Sequence, residues 1–275
     1  MQTPAFKKLI WDFYKKNART HLPWRNLPVG RNAKHIAYQI LVSEVMLQQT
    51  QVDRVIPYYT TWMKQFPTAQ ALARADLASV LTAWQGLGFN TRAKRLQTVA
   101  QHIVQNYQGI VPHDAAILVS LPGIGPYTAN AIMAFAFNHD AVFIETNIRT
   151  VILHHFFSKR VNVSDDEILA VLKKVLPRGK ARMWYSALMD YGAYLKHSGV
   201  NLNKKSKSYS KQSVFKGSGR EAGAAIVKRL LTGSATKLQI RLLLKDRSKQ
   251  LEDQLERLLK EGLVVKRGLY YHVAT

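Results

Sequence analysis

Apolar residues recur three and four positions apart from Ala5 to about Leu195, in segments broken by short Pro- and Gly-containing stretches. This spacing predicts helices over Ala33–Gln48, Gln51–Phe66, Ala73–Thr82, Thr91–Tyr107, Pro126–Phe137 and Thr146–Phe157. Few strand-like alternations interrupt it, so this part reads as all-α. The pattern stops at Lys196–Arg220, where Lys196, Lys204, Lys205, Lys207, Lys211 and Lys216 are spaced by Ser, Asn and Gly without any acid. Such a stretch is a linker or a basic strap. Order then resumes. Helical segments Ala222–Leu231, Leu238–Leu244 and Ser248–Glu261 precede two alternating runs, Leu263–Lys266 and Tyr270–Val273, which flank Gly268 at a bend. Three helices and a terminal hairpin follow the order of a winged helix. The expected organisation is a helical domain over 1–196, a basic linker or strap over 197–217 and a winged-helix-like module over 218–275.

Charge sharpens this picture. Forty Lys and Arg against seventeen Asp and Glu give a formal charge of +23, an excess that attracts polyanions, nucleic acid first among them. No apolar run is long enough to span a bilayer. Met1–Arg19 scatters Lys7, Lys8, Asp12, Lys15 and Lys16 through its apolar positions, unlike a signal peptide. The expected location is cytoplasmic, with the nucleoid. The chain has no cysteine, which excludes disulfides, thiolate nucleophiles and thiolate-held zinc or iron–sulfur clusters. No cofactor or metal is implied. The His154-His155 pair makes a poor chelate, because adjacent helical residues point about 100° apart, and is read as structural.

One segment carries a phosphate-binding signature. Leu121-Pro122-Gly123-Ile124-Gly125-Pro126-Tyr127-Thr128-Ala129 lies between two helical segments. Its glycines permit left-handed backbone and close approach, and Pro126 suits the first turn of a helix. The backbone N–H groups of such a turn, together with the dipole of the following helix, can hold one phosphate of a DNA strand. A plain tight turn between helices is the alternative.

Several motifs together resemble the MutY-type adenine DNA glycosylases, relatives of endonuclease III in the helix-hairpin-helix superfamily. They are Leu22-Pro23-Trp24-Arg25, the run Ser43-Glu44-Val45-Met46-Leu47-Gln48-Gln49-Thr50-Gln51-Val52, Gly86-Leu87-Gly88-Phe89, the hairpin above and Met189-Asp190-Tyr191-Gly192-Ala193. The resemblance covers roughly Lys15 to Lys196. It implies two helical subdomains with the active site between them, and duplex DNA containing a mispaired or damaged base as the partner of a monomeric enzyme. It also implies two catalytic acids. One maps onto Glu44. The other, usually an Asp, falls where this chain has Glu145.

Two carboxyl groups fit the chemistry. Cleaving an N-glycosidic bond requires a proton for the departing base and negative charge, or a nucleophile, near a sugar of oxocarbenium character. Glu44 follows Ile36 and Ile40 at i, i+4 spacing, so it is expected on an apolar helix face where burial would favour the protonated acid. Pairing with a cation such as Arg54 is its structural alternative. Glu145 is expected at a helix start, a position that suits a carboxylate, either as the second acid or as a simple helix-start residue. Its extra methylene matters, because a displacement near 1 Å can cost ~100-fold in rate.

Further roles come from the resemblance. Gln48 or Gln49 would fill the gap left in the duplex, Phe89 would be an aromatic wedge, and Trp24 and Arg25 would line the base pocket. Asn147 and Arg149 would contact DNA backbone, as would Gly123, Gly125 and Tyr127 of the hairpin. Thr91–Leu96 reads as a basic helix start facing phosphates. Bifunctional relatives carry a Schiff-base Lys in the hairpin, whereas Tyr127 cannot form that adduct, so a monofunctional glycosylase is expected. The chain departs from the family in two respects. The iron–sulfur cluster that relatives hold with four cysteines is replaced by the lysine strap of Lys204, Lys205 and Lys207. A winged helix also stands where relatives have a nudix-like domain. In that module Glu252, Asp253 and Glu256 line the third helix, so the hairpin bearing Lys266 and Arg267 is the better DNA contact. A thymine or uracil mismatch glycosylase and a non-catalytic damage-binding protein remain open alternatives.

Overall fold

Helices dominate the computed structural model, which describes residues 2–26, 33–200, 202–209, 215–244 and 250–274. Lys211 of the strap and Ser248, the expected start of the third C-terminal helix, lie outside the described residues. The chain forms two compact units. One comprises residues 1–44 and 112–211, the other residues 45–111 and 212–275. Neither is a single continuous stretch of chain.

The first unit contains α1 (Thr3–Asn17), α2 (Ala33–Leu47) as far as Glu44, α7 (Ala115–Ser120), α8 (Pro126–Phe137), α9 (Thr146–Phe156), α10 (Asp165–Val175) and α11 (Ala181–His197). Its core centres on α11, against which α1, α8 and α9 pack. Phe6, Ile10, Phe143, Ile152, Leu172, Trp184, Tyr185 and Leu188 are fully or almost fully buried there. Helix boundaries follow local chemistry. Ser164 and Glu167 form a reciprocal capping box at the start of α10, and Pro126 opens α8 as expected.

The second unit contains α3 (Val52–Gln65), α4 (Ala69–Arg74), α5 (Leu77–Trp84), α6 (Thr91–Tyr107) and the C-terminal module. Trp62 and Trp84 meet edge to face at 5.5 Å in its core. The single helix expected over Ala73–Thr82 is two helices. The Asp76 side chain accepts the Ser79 N–H at 2.7 Å and starts α5, while the Gln97 amide donates to the Ala75 carbonyl in the break.

In the C-terminal module, α12 (Gly219–Leu230), β1 (Ala235–Thr236), α13 (Lys237–Leu244), α14 (Leu251–Lys260), β2 (Val264–Arg267) and β3 (Tyr270–Val273) follow one another. The sheet is antiparallel in the order β1-β3-β2, with Ala235 opposite Tyr271 and Lys266 opposite Tyr271 on the other side. This is winged-helix topology, and β1 is the strand that sequence periodicity did not reveal. Glu252, Asp253 and Glu256 lie exposed on α14, and Lys266 and Arg267 lie exposed on the hairpin.

Candidate active site

Glu44 sits on α2 below Ile36 and Ile40 and is only 6% exposed. Its carboxyl is pushed up to about 7, first by burial. A hydrogen bond from the Tyr127 hydroxyl, 3.1 Å from Oε2, works in the opposite direction, and the charge of Glu145 adds to the upward shift. Tyr127 is the second residue of α8, so the hairpin that starts this helix also delivers the phenol to Glu44. Burial, followed by the neighbouring charges of Glu44 and Glu145, holds the phenol well above its ordinary value, so it remains a donor. Its ring meets Phe143 edge to face at 5.7 Å.

Glu145 is the N-cap of α9. Its Oε2 accepts the Asn147 N–H at 2.7 Å, and Oε1 accepts from the Asn147 amide at 3.2 Å and from the Thr146 hydroxyl at 2.6 Å. A cap engaged at both oxygens has little rotameric freedom. Two residues to which the sequence assigned no part at this acid reinforce it. Gly192 of α11 faces Asn147 so closely that a Cβ would lie 2.3 Å from the Asn147 carbonyl oxygen. Lys196, one turn further along α11, donates to Thr146 Oγ1 at 3.2 Å. Burial lowers the pKa of its ammonium, against the opposing pull of Glu145. The available signal was the i, i+4 spacing of Gly192 and Lys196, which puts both on one helix face.

The hairpin carries a correction. Gly123 adopts φ +81, but Gly125 is extended, with φ −86, and serves as the N-cap of α8. A Cβ at Gly125 would meet nothing within 4 Å, so the protein itself does not require glycine there. Both glycines are exposed.

Other expected residues are bound up within their own unit. Arg25 donates to Asp190 Oδ2 at 2.6 Å, and Arg19 Nε donates to Asp190 Oδ1 at 2.5 Å. Asp190, 1% exposed at its side chain, ties both arginines to α11, and Trp24 is buried beside them in sequence. The Arg149 guanidinium pairs with Asp165 and donates to Ser206 Oγ at 2.6 Å. His155 approaches the Tyr191 hydroxyl at 3.1 Å, and burial lowers its imidazole to about 4.

In the second unit, Gln48 is half-buried, while Gln49 is exposed with a left-handed φ of 55. Phe89 is also left-handed, with φ 51. Arg92, expected to face phosphate, is 8% exposed and internal. It donates to the carbonyls of Val45, Met46 and Gln48, the Thr50 hydroxyl, and the carbonyls of Leu87 and Gly88. Arg92 lies on the buried stripe with Leu96, Val99 and Ile103, a spacing that could have revealed it. Lys94 is likewise turned inward, to the Glu261 and Gly262 carbonyls. Arg95 is the member of that basic run left exposed.

After α11 the chain is tied back to Val163 by backbone hydrogen bonds. Lys205 O accepts from Val163 N at 3.1 Å, and Lys207 N donates to Val163 O at 3.0 Å. Lys204 and Lys207 are exposed, while the Lys205 ammonium reaches the Ser158 carbonyl. A four-thiolate iron–sulfur cluster does not fit a chain with no cysteine. Among the described residues no three His, Asp or Glu side chains gather as metal ligands.

The chain resembles known proteins in sequence and in fold. Residues 42–178 match the family described as HhH-GPD superfamily base excision DNA repair protein. This chain belongs to that superfamily. Its relatives include the adenine DNA glycosylase of Mycolicibacterium smegmatis, 42% identical over 180 residues, covering 64% of this chain and 59% of the relative. That of Mycobacterium tuberculosis is 43% identical over 191 residues, covering 67% and 59% respectively. The chain therefore spans somewhat over half the length of these curated relatives. In fold it is similar to a thermostable thymine-DNA glycosylase, with TM-score 0.61 and 23% identity, covering 74% of this chain and 94% of that one. It is also similar to endonuclease III in a trapped covalent intermediate with DNA, with TM-score 0.58 and 19% identity, covering 70% and 87%. The all-α helix-hairpin-helix glycosylase architecture is thus the fold of this superfamily member.

Proposed function

We propose that the protein is a monofunctional DNA glycosylase that hydrolyses the N-glycosidic bond of adenine mispaired with 8-oxoguanine or guanine. The observation that carries this reading is the buried Glu44 carboxyl, poised at about 7 and hydrogen-bonded to Tyr127 within reach of the field of Glu145. A group titrating there is half protonated near neutral pH, which suits an acid that must give up its proton in the reaction.

In this reading the target base leaves the stack, as base chemistry on duplex DNA requires. Glu44 protonates a ring nitrogen of the adenine, and the C1′–N bond breaks with its electron pair moving to the base. Glu145, fixed by its capping bonds, offers negative charge to the oxocarbenium-like sugar. The Glu44 carboxylate then takes a proton from water as the water oxygen bonds C1′, which restores the acid and leaves an abasic site. Tyr127 supplies no amine, so no Schiff base forms at the hairpin.

Duplex DNA is the partner assigned to the surface. The exposed hairpin backbone at Gly123 and Gly125 holds a phosphate, Gln48 or Gln49 fills the vacated position, and Phe89 wedges the stack. Trp24 and Arg25 border the base pocket, with Arg25 held by Asp190, while Asn147 and Arg149 contact the DNA backbone. Residues 1–196 act as the glycosylase domain, 197–217 as a phosphate-contacting strap and 218–275 as a winged-helix module. The adenine activity recorded in the names of the curated relatives supports the choice of base.

Single-turnover release from labelled duplexes tests the substrate: adenine opposite 8-oxoguanine, guanine or cytosine, and thymine or uracil opposite guanine. Selective release of adenine is expected. Release of thymine or uracil in its place would move the substrate while keeping the chemistry.

A further inference from the structure

Phe89 closes a loop in which Gly86, Gly88 and Phe89 all have positive φ, at 99, 75 and 51. No helix or strand fixes the orientation of its ring, so the neighbours that contact the ring must do so. Two guanidinium groups lie over it. Arg92 is 5.5 Å from the ring centroid and is locked by its bonds to six acceptors. Arg220, 5.4 Å from the centroid, comes from the first turn of α12 in the C-terminal module and also lies 5.9 Å from the Phe215 ring.

The module is pinned beside this loop by a second, independent contact. Lys94 of α6 donates to the carbonyls of Glu261 and Gly262, both at 2.9 Å. These carbonyls lie at the C-terminal end of α14, where a cation is favoured by the helix dipole. Gly262 has φ +63, and a Cβ there would come within 2.2 Å of the Lys94 ammonium. Glycine suits this left-handed turn, and the lysine end occupies the space a side chain would take. Phe89, Asn90, Arg220, Gln254 and Leu263 line the crevice between α6 and the module.

We infer that the C-terminal module positions Phe89, with Arg220 as the positioning residue, and so takes part in distorting the duplex. Cation–π contact at a partly desolvated ring orients the ring as well as attracting it. The inference rests on the reading of Phe89 as the residue that enters the base stack. It gives residues 218–275 a role that neither the exposed acids of α14 nor the charged hairpin would supply.

The test uses the full-length protein and a duplex carrying a fluorescent purine analogue at the mispaired position, whose emission rises when the base unstacks. This readout does not require base release. Arg220→Ala is expected to shift the stacked–unstacked equilibrium toward stacked by about fivefold, the value of one cation–π contact. Affinity for a matched duplex and melting temperature should stay near those of the unmodified protein. Arg220→Lys should recover most of the signal, and Arg220→Ala should add nothing in a Phe89→Leu background. Wild-type unstacking by Arg220→Ala, or an equal further loss in the Phe89→Leu background, would overturn the inference. A protein that unstacks the analogue through Arg220 but releases no adenine would sustain the inference and sink the proposed chemistry. Absence of unstacking by the unmodified protein would overturn the role of Phe89 and the inference together.

Discussion

The Tyr127 hydroxyl donates a 3.1 Å hydrogen bond to Oε2 of Glu44, linking the first turn of the hairpin helix to the buried acid. Burial and this bond act in opposite directions. Burial disfavours the Glu44 carboxylate, and the phenol favours it, leaving the group at about 7. The protonated form is the acid, so base release should fall as pH rises through about 7. Tyr127→Phe removes the interaction that lowers the pKa and should move this midpoint upward by about one unit, the size of a hydrogen bond to a charged group. Single-turnover rates across pH measure it. An unmoved midpoint would separate the phenol from the acid.

Glu145→Gln keeps an oxygen able to cap α9 but removes the charge. Base release should fall at least ~100-fold, the usual cost of losing one aligned electrostatic stabiliser. Stability should change by under ~1 kcal/mol, because the cap acceptor survives. A thermal melt beside a rate measurement distinguishes the two effects, and a large loss of stability with the rate intact would make Glu145 a structural cap only.

Gly192→Ala places a methyl group against the Asn147 backbone, where neither partner is a flexible side-chain end. Overpacking of this kind costs roughly 1–3 kcal/mol. It should also slow base release, because Asn147 holds Glu145 through both its backbone and side-chain N–H groups. Equilibrium denaturation combined with single-turnover kinetics would reveal a stable variant of full activity, the outcome that contradicts this coupling.

Replacing Lys204 and Lys207 with Ala should flatten the salt dependence of duplex binding by about 1.8 in log–log slope, near 0.9 for each lost phosphate contact. Lys205→Ala should change the slope less, since its ammonium is held by the Ser158 carbonyl. Affinity measured at several salt concentrations gives both slopes. An unchanged slope in the double variant would leave the segment as a linker.

Much of this was legible from residue spacing. Thr91–Tyr107 and Pro126–Phe137 form helices with the expected ends because apolar periodicity and end signals agree there. The burial of Glu44 follows from its i, i+4 relation to Ile36 and Ile40, a local property of one helix. Long-range pairing was not legible. Asp190 meets Arg19 and Arg25 from a distant part of the chain, Arg92 turns inward to carbonyls of the Val45–Gln48 segment, and Lys94 reaches the end of α14. A basic side chain in sequence looks the same whether phosphate or buried carbonyls will satisfy it. The two-residue β1 is too short to show a period, and it exists because β3 offers it hydrogen-bond partners. Gly125 shows a further limit: a glycine in a Gly-rich turn can be extended.

The most direct test of the central claim is single-turnover adenine release by Glu44→Gln, measured with its affinity for the same mispaired duplex. Gln is nearly isosteric but cannot supply the proton. Loss of release with affinity close to that of the unmodified protein is the predicted result. Release that survives the substitution would remove Glu44 from the acid role and, with it, the mechanism built on its burial.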